Sequence, residues 1–253
     1  MNKIIIDSNK ISNYKDKDVS IKKNNIIFTK DGSYNLEIVN SNKIDLNIKV
    51  NKDINVSIYI YSINNDISTN VKYILDDNSK LLVYKFYNNS SNNISDYIYL
   101  NGYNSSVDYR LSSISKNEED YNIIIYHNNI KAKSKISNKC IAMDNSKIVF
   151  NIDSIVEKGN IGVSMNQDTK VMCLGDAEAK IEPNMLIDED DVEARHGSVV
   201  GKFNIDNIFY LMSRGITEED AVRLMIKGFI LSHLILDKND EMKIINIIKD
   251  NFG

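Results

Sequence analysis

The chain is poor in several residue types that mark common protein classes. Its 253 residues include two cysteines, one proline, three histidines and no tryptophan. Two thiols do not make a zinc site, because structural zinc needs four protein ligands. Cys140 and Cys173 fit a reducing compartment, in which a structural disulfide is not expected.

The sequence also lacks the features of membrane, secreted and nucleic-acid-binding proteins. Its formal net charge of −4 provides no excess of positive charge to attract nucleic acid. No apolar run approaches the ~20 residues that span a bilayer. The apolar residues 4–6 are followed at once by Asp7, so they cannot form the apolar core of a signal peptide. We predict a cytoplasmic protein that binds neither membrane nor nucleic acid.

Familiar enzyme motifs are absent as well. Nothing resembles the Gly-Lys-Ser/Thr phosphate loop, the His-Glu-x-x-His zinc helix or the Gly-x-Ser-x-Gly nucleophile elbow. We therefore expect that the chain does not itself hydrolyse ATP and is not a familiar hydrolase.

What the sequence does contain is a long series of short strands. From about residue 25 to residue 172, apolar and polar residues alternate with the period of two that is typical of β-strands, most strictly in 44–50, 54–60 and 107–111. Clusters such as 76–79 separate them, and Asn and Asp favour turns because they tolerate left-handed backbone. More than ten strands are predicted. Periodicity alone fits a sandwich, a barrel or a β-helix equally well.

The last fifty residues have the period of helices instead. Thr217 followed by three acidic residues resembles a capping box, and the stripe after it is that of an amphipathic helix. A shorter helix is predicted over 206–213, closed by Gly215, and a final helix over about 239–251. The stripe consists of Val222, Met225, Ile226, Phe229 and Ile230.

Two motifs at the junction of these regions carry a family resemblance. Residues 190–201 read DDVEARHGSVVG, and residues 209–216 read FYLMSRGI. Together they resemble the C-terminal signature of the SufB/SufD scaffold proteins of the SUF iron–sulfur cluster assembly system, most strongly over 173–229. The resemblance implies a mainly β fold, namely a right-handed parallel β-helix core (1–203) followed by a C-terminal helical subdomain (204–253). Relative to the family, we expect the helical region that precedes the β-helix to be missing or vestigial in this sequence.

His196 is the first candidate site residue. A lone histidine at a strand end is often only a partly buried residue bonded to the main chain. The resemblance instead places His196 at the subunit interface where a cluster is built, and a neutral imidazole with a pKa of ~6.5 is a competent iron ligand.

The neighbours of His196 make the chain SufD-like. SufB-like members of the family have glutamate after this histidine and a cysteine about one rung upstream, whereas this chain has Gly197 and no cysteine in 166–170. A thiolate ligand would then come from a partner, and the resemblance implies a cluster that is held transiently at the partner interface. Cys173 is a reserve metal ligand, although its apolar neighbours favour a small buried hydrophobe.

The second candidate is a partner-binding surface. The resemblance implies that the C-terminal helices dock onto the SUF ATPase, while core packing is the simpler interpretation of Phe209 and Leu211. His127 is interpreted as a turn residue and His233 as a helix-packing residue. The residues expected at the partner-binding surface are Phe209, Tyr210, Arg214, Gly215, Glu218 and Glu219.

The leading hypothesis is a non-catalytic, SufD-like scaffold that pairs with a SufB-type subunit through the β-helix and with a SufC-type ABC ATPase through the helices. A self-sufficient homodimeric scaffold with the same ATPase is the alternative. The acidic run 188–191 suits a solvated loop, but it leaves open a hard-cation site and, more remotely, a β-helical carbohydrate-active enzyme.

Overall fold

A computed structural model describes residues 2–8, 10–11, 18–63, 66–236 and 238–252. These residues form seventeen strands followed by three helices. The strands are β1 (Asn2–Asp7), β2 (Lys10–Ile11), β3 (Val19–Lys22), β4 (Asn25–Phe28), β5 (Gly32–Val39), β6 (Lys43–Val50), β7 (Asn55–Ile63), β8 (Ile67–Leu75), β9 (Lys80–Asn88), β10 (Asn92–Leu100), β11 (Ser106–Ser115), β12 (Glu118–His127), β13 (Lys133–Ala142), β14 (Lys147–Val156), β15 (Val163–Cys173), β16 (Glu178–Ile187) and β17 (Val192–Gly201). The helices are α1 (Ile205–Ser213), α2 (Glu218–Leu231) and α3 (Lys238–Phe252).

The strands build a parallel β-solenoid with two strands in each turn. From β5 onward, each strand pairs in parallel with the strand two positions later, so odd-numbered strands form one sheet and even-numbered strands the other. The solenoid has about six turns. The predicted β-helix with C-terminal helices is confirmed, and the sandwich and barrel interpretations were wrong. The first four strands add two short antiparallel pairs, β1 with β2 and β3 with β4.

The core lies between the two sheets. In β12 the side chains alternate regularly between buried and partly exposed, and the inward ones stack on the inward side chains of β10 and β14. Tyr121 and Phe150 stack with ring centroids 4.5 Å apart. Burial of each such large apolar side chain contributes roughly 1.5–3 kcal/mol, and the repetition of this row at every turn stabilises the stack.

The turns between strands are also stacked on one another. Asp53, Asn78, Asn104 and Lys131 occupy equivalent corners in successive turns, and all four have φ between 53° and 60°. Asn78 Nδ2 donates to Asp53 Oδ1 (2.8 Å), and Asn104 Nδ2 donates to Asn78 Oδ1 (3.2 Å). The expected tolerance of Asn and Asp for left-handed backbone is thus confirmed at the predicted turn 76–79.

The helical tail packs on the outer face of the odd-numbered sheet. Ile226 and Ile230 of α2, with Ile244 and Ile248 of α3, form a second apolar cluster. The sheet contributes the outward side chains of the ends of three strands, which are Phe86, Ile114 and Ile141. The predicted stripe of α2 therefore lies at this contact. The last strand ends at Gly201 and α1 begins at Ile205, close to the proposed boundary at residue 203.

Candidate functional site

His196 lies in the middle of β17, the last strand of the odd-numbered sheet. β17 pairs with β15 on one side, and within the described part of the chain no strand pairs with its other edge. His196 is in register with Gln167 of β15, which is buried inside the solenoid. Because paired residues of parallel strands project to the same face, His196 belongs to the inward row of the last turn. The side chain is exposed because the solenoid is open at this end.

Gln167 closes the interior beneath His196. Its Nε2 atom donates to the Oγ atom of Ser154 (2.8 Å) and to the carbonyl oxygen of Asn184 (3.3 Å), which both belong to the opposite sheet. The amide therefore spans the space between the two sheets one turn below the open end. The Gln167 carboxamide is therefore a polar group at the base of the space beside His196.

No thiol accompanies His196. Residues 166–170, which contain no cysteine, pair directly with residues 195–199 and therefore lie one turn below the histidine motif. Cys173 is six residues further along β15 than Gln167, which is ~20 Å at ~3.3 Å per residue. Its side chain is buried, and burial raises the pKa of the thiol, which works against the thiolate that a metal ligand needs. The structure does not bring Cys173 and His196 together.

The last turn of the solenoid exposes apolar side chains and main-chain edges together. Leu186 and Ile187 of β16 and Val199 and Val200 of β17 are all among the exposed large apolar residues, with Leu186 57% exposed. β16 is likewise the end strand of its sheet. These residues were not identified from the sequence, because the alternation of apolar and polar residues is the same in an edge strand as in an inner strand.

Helix α1 is an exposed apolar surface, which corrects the expectation of core packing for Phe209. All nine of its residues are described and none is buried. Phe209 is 57% and Tyr210 59% exposed. The guanidinium carbon of Arg214 lies 5.2 Å from the centroid of the Tyr210 ring, a cation–π contact that holds both groups at the surface.

The turn between α1 and α2 is tightly capped. Gly215 has φ of 86°, its N–H donates to Met212 O (2.9 Å), and the N–H of Ile216 donates to Leu211 O (3.3 Å), the two bonds of a Schellman motif. Thr217 Oγ1 accepts from the N–H of Asp220 (3.2 Å), as the capping pattern predicts.

Glu218 and Glu219 are exposed in the first turn of α2, close in sequence to the exposed residues of α1. No helix in the described residues is both long and apolar enough to cross a membrane.

The acidic run 188–191 forms a turn in which one of its carboxylates accepts backbone hydrogen bonds. Glu189 accepts hydrogen bonds from the backbone N–H groups of Gly159 (2.8 Å) and Asp190 (2.9 Å), and these bonds lower the pKa of its carboxyl. Among the described residues no group of three or more His, Cys, Asp or Glu side chains is arranged to hold a metal ion. The run therefore acts as the solvated loop that was expected.

The other two histidines are structural, in places that differ from the expectations. His127 is the last residue of β12 and is fully buried, with Nε2 2.8 Å from Ser134 Oγ, so the turn interpretation was wrong. His233 follows the end of α2 and bridges two strands, with Nε2 2.9 Å from Ser112 Oγ and Nδ1 2.9 Å from Ser137 Oγ. It fastens the helical tail to the sheet rather than one helix to another.

Comparison with known proteins gives a family match for this chain. The family model for the SufBD core domain of SUF system iron–sulfur cluster assembly matches residues 46–229, which is 184 of the 253 residues. The chain is 34% identical over 113 residues to the iron–sulfur cluster assembly protein SufD of Bacillus subtilis and 34% identical over 135 residues to SufD of Escherichia coli. A SufBD family protein of Pyrococcus horikoshii is 31% identical over 99 residues.

These matches cover 44%, 51% and 37% of this chain and 26%, 31% and 21% of the respective relatives. The matched region of the family model includes His196, both edge strands, α1 and most of α2. The match covers well over half of the chain, and the chain accordingly belongs to the SufB/SufD family of the SUF iron–sulfur cluster assembly system and is SufD-like.

Proposed function

We propose that this chain is a SufD-like scaffold subunit that supplies half of an iron–sulfur assembly site to a SufB-type partner. One observation carries the proposal. His196 is exposed on β17 at the open end of the solenoid, where the outer edge of that strand is unpaired within the described part of the chain, and the segment of β15 paired with it contains no thiol. An imidazole alone cannot hold a cluster, so the remaining ligands must come from the surface that covers this end.

The two edge strands are suited to receive that partner. An unpaired edge presents a row of N–H and C=O groups that another strand can bind, and apolar side chains between them add affinity. Val199 and Val200 follow His196 on β17, while Leu186 and Ile187 end β16. A partner solenoid that docks here would pair with the edges and bring its thiolate next to the imidazole.

Helix α1 is the second contact surface. Its exposed aromatic pair, Phe209 and Tyr210, lies on a helix that packs against α2 but buries none of its own residues. Exposed aromatic residues with a neighbouring arginine are the composition typical of interface centres. This surface supports docking of a SufC-type ABC ATPase, with Arg214, Glu218 and Glu219 as its polar rim.

The cluster is the cargo of this site. His196 would bind iron through one ring nitrogen while the cluster is assembled, and the chain itself would catalyse no reaction. Two buried thiols and no membrane-spanning helix among the described residues fit assembly in the cytoplasm.

Co-expression with a SufB-type subunit and a SufC-type ATPase tests the proposal. A stable ternary complex is expected on size-exclusion chromatography with mass measurement, and its absence would disprove the partner assignment. In that complex His196→Ala should abolish cluster formation, measured by visible absorbance. Ser198→Ala, two residues along the same inward row, is the matched control and should retain it.

A homodimeric scaffold is the second candidate, because an open edge strand can pair with its own copy. The mass of the purified chain without partners separates the two. A stable dimer that binds the ATPase and forms clusters alone would favour the homodimer, whereas a monomer that needs the SufB-type subunit favours the heterodimer.

A further inference from the structure

The nitrogen of the Gln167 side-chain amide makes hydrogen bonds, whereas its oxygen makes none among the described residues. Its nitrogen faces the carbonyl oxygens of Ile152 (3.5 Å) and Asn184 (3.3 Å), which can only accept, so the Nε2 and Oε1 positions are fixed by chemistry. Oε1 is buried and has no hydrogen-bond partner among the described residues. A buried acceptor without a donor costs about 1–3 kcal/mol, so an acceptor left unpaired at this place calls for a reason.

The register between β15 and β17 explains why this acceptor is left without a partner inside the solenoid. Gln167 and His196 are paired residues of neighbouring parallel strands, and both belong to the inward row. Adjacent strands lie ~4.8 Å apart, which places the imidazole within reach of the amide beneath it. Among the described residues the His196 ring makes no hydrogen bond, so its nitrogens and Gln167 Oε1 are both without a partner in this structure. The neighbouring Arg195 projects to the opposite face and pairs with Glu193 (2.7 Å).

We propose that Gln167 positions the His196 imidazole by accepting the hydrogen of one ring nitrogen on Oε1. This inference rests on the proposed function, because it assigns the other ring nitrogen to iron. A hydrogen bond from the N–H of a ligating histidine fixes the tautomer and the ring orientation, and loss of such a partner typically weakens metal binding about 10- to 100-fold. Gln167 is thus a positioning residue that touches no iron.

The tautomer of His196 is the direct test. In the full chain labelled with ¹⁵N-histidine, at a pH where the ring is neutral, the three histidines can be assigned by comparison with His196→Asn. One predominant tautomer is expected at His196 in the unmutated chain. Gln167→Met keeps the length of the side chain but removes the acceptor. In this variant His196 should shift toward the mixture of two tautomers that free histidine shows.

Thr169→Val is the matched control. Thr169 lies two residues along the same inward row, is buried, and pairs with Ser198 rather than with His196. The tautomer at His196 should be unchanged in this variant. A mixed tautomer in the unmutated chain, or an identical spectrum in Gln167→Met, would overturn the inference, and the first result needs no variant to fold.

The affinity for iron distinguishes a failure of this inference from a failure of the proposed function. Fe²⁺ binding to the assembled complex should weaken about 10-fold or more in Gln167→Met and disappear in His196→Ala. If His196→Ala abolishes cluster formation while Gln167→Met changes neither tautomer nor affinity, only the positioning role fails. If His196→Ala leaves cluster formation intact, the ligand role fails whatever the tautomer shows.

Discussion

The ammonium group of Lys85 lies 2.6 Å from Oδ2 and 2.8 Å from Oδ1 of Asp96, and neither side chain has any exposed surface. This ion pair spans the interior from β9 to β10. Tyr109 adds a third contact, because its hydroxyl donates to Asp96 Oδ2 (2.5 Å). Burial lowers the pKa of Lys85, and the Asp96 carboxylate offsets part of that effect.

Breaking this pair from one side should be costly. Asp96→Ala leaves a buried ammonium group without a counter-charge, and we expect a loss of roughly 3–5 kcal/mol in the free energy of unfolding. The double variant Lys85→Met/Asp96→Leu should recover most of the loss, because it removes both charges. Chemical denaturation measures both. Lys180→Ala, which breaks an exposed pair with Glu182, is the control and should change stability by less than about 1 kcal/mol.

The stacked corner residues give a second prediction. Asn78 combines a left-handed backbone, φ of 53°, with side-chain bonds to the corners of the turns on either side. Asn78→Gly keeps the backbone freedom but loses the bonds, so we expect a cost of about 1 kcal/mol. Asn78→Ala also incurs the left-handed strain of about 1–2 kcal/mol and should be the less stable variant. An equal loss of stability in the two would contradict the strain argument.

The alternation of apolar and polar residues located the strands well, but it could not show what lies on each face. The predicted strand 44–50 lies within β6 (Lys43–Val50), and the predicted strand 54–60 covers the first six residues of β7 (Asn55–Ile63). Lys85 in an inward row breaks the pattern, since only the fold shows that Asp96 lies opposite. In β13 the run from Cys140 to Ala142 is apolar without alternation, because the helices cover the outer face there. That run was a signal of two-sided burial.

The candidate site was predictable in part. His196 was located by its motif, and its lack of a paired thiol followed from the rung length. The role of Gln167 depends on a register of 29 residues between strands, which periodicity alone does not fix. Phe209 was misinterpreted because an apolar residue on a helix is usually buried, and only the packing of α1 shows otherwise.

The burial of His127 in its neutral form predicts that the free energy of unfolding depends on pH. Burial lowers the pKa of His127 to about 4, below the unfolded value of 6.5. Between pH 6.5 and pH 4 the unfolded chain binds more protons at this residue, so its contribution to stability is complete above pH 6.5 and is lost as the pH falls. From pH 7 to pH 5 we expect it to account for about 2 kcal/mol of the decrease.

The variant His127→Gln isolates that contribution. Its free energy of unfolding should fall less between pH 7 and pH 5 than that of the unmutated chain, as measured by denaturation at the two pH values. Equal decreases in the two proteins would show that His127 does not titrate in this window. His196→Gln is the control, because that side chain is exposed.

The exposed face of α1 predicts a separation of binding from stability. Phe209→Ala/Tyr210→Ala should change the stability of the chain by less than about 1 kcal/mol, since both rings are exposed, while weakening binding of the proposed SufC-type ATPase partner at least 10-fold. Ile226→Ala, in the buried face of α2, should instead cost about 2–5 kcal/mol. Isothermal calorimetry and thermal denaturation give the two readouts. Unchanged ATPase affinity in the double variant would assign the docking surface elsewhere.

The open end of the solenoid also governs how the chain behaves during production. Each turn acts as a template for the next, and β16 and β17 present that template to the solvent with apolar side chains still exposed. The single proline of the chain, Pro183, lies within β16, and a proline cannot donate to an added strand. β17 has no such interruption. We therefore expect the chain made alone to aggregate end to end through β17, and to be more soluble when the proposed partner subunit is made with it.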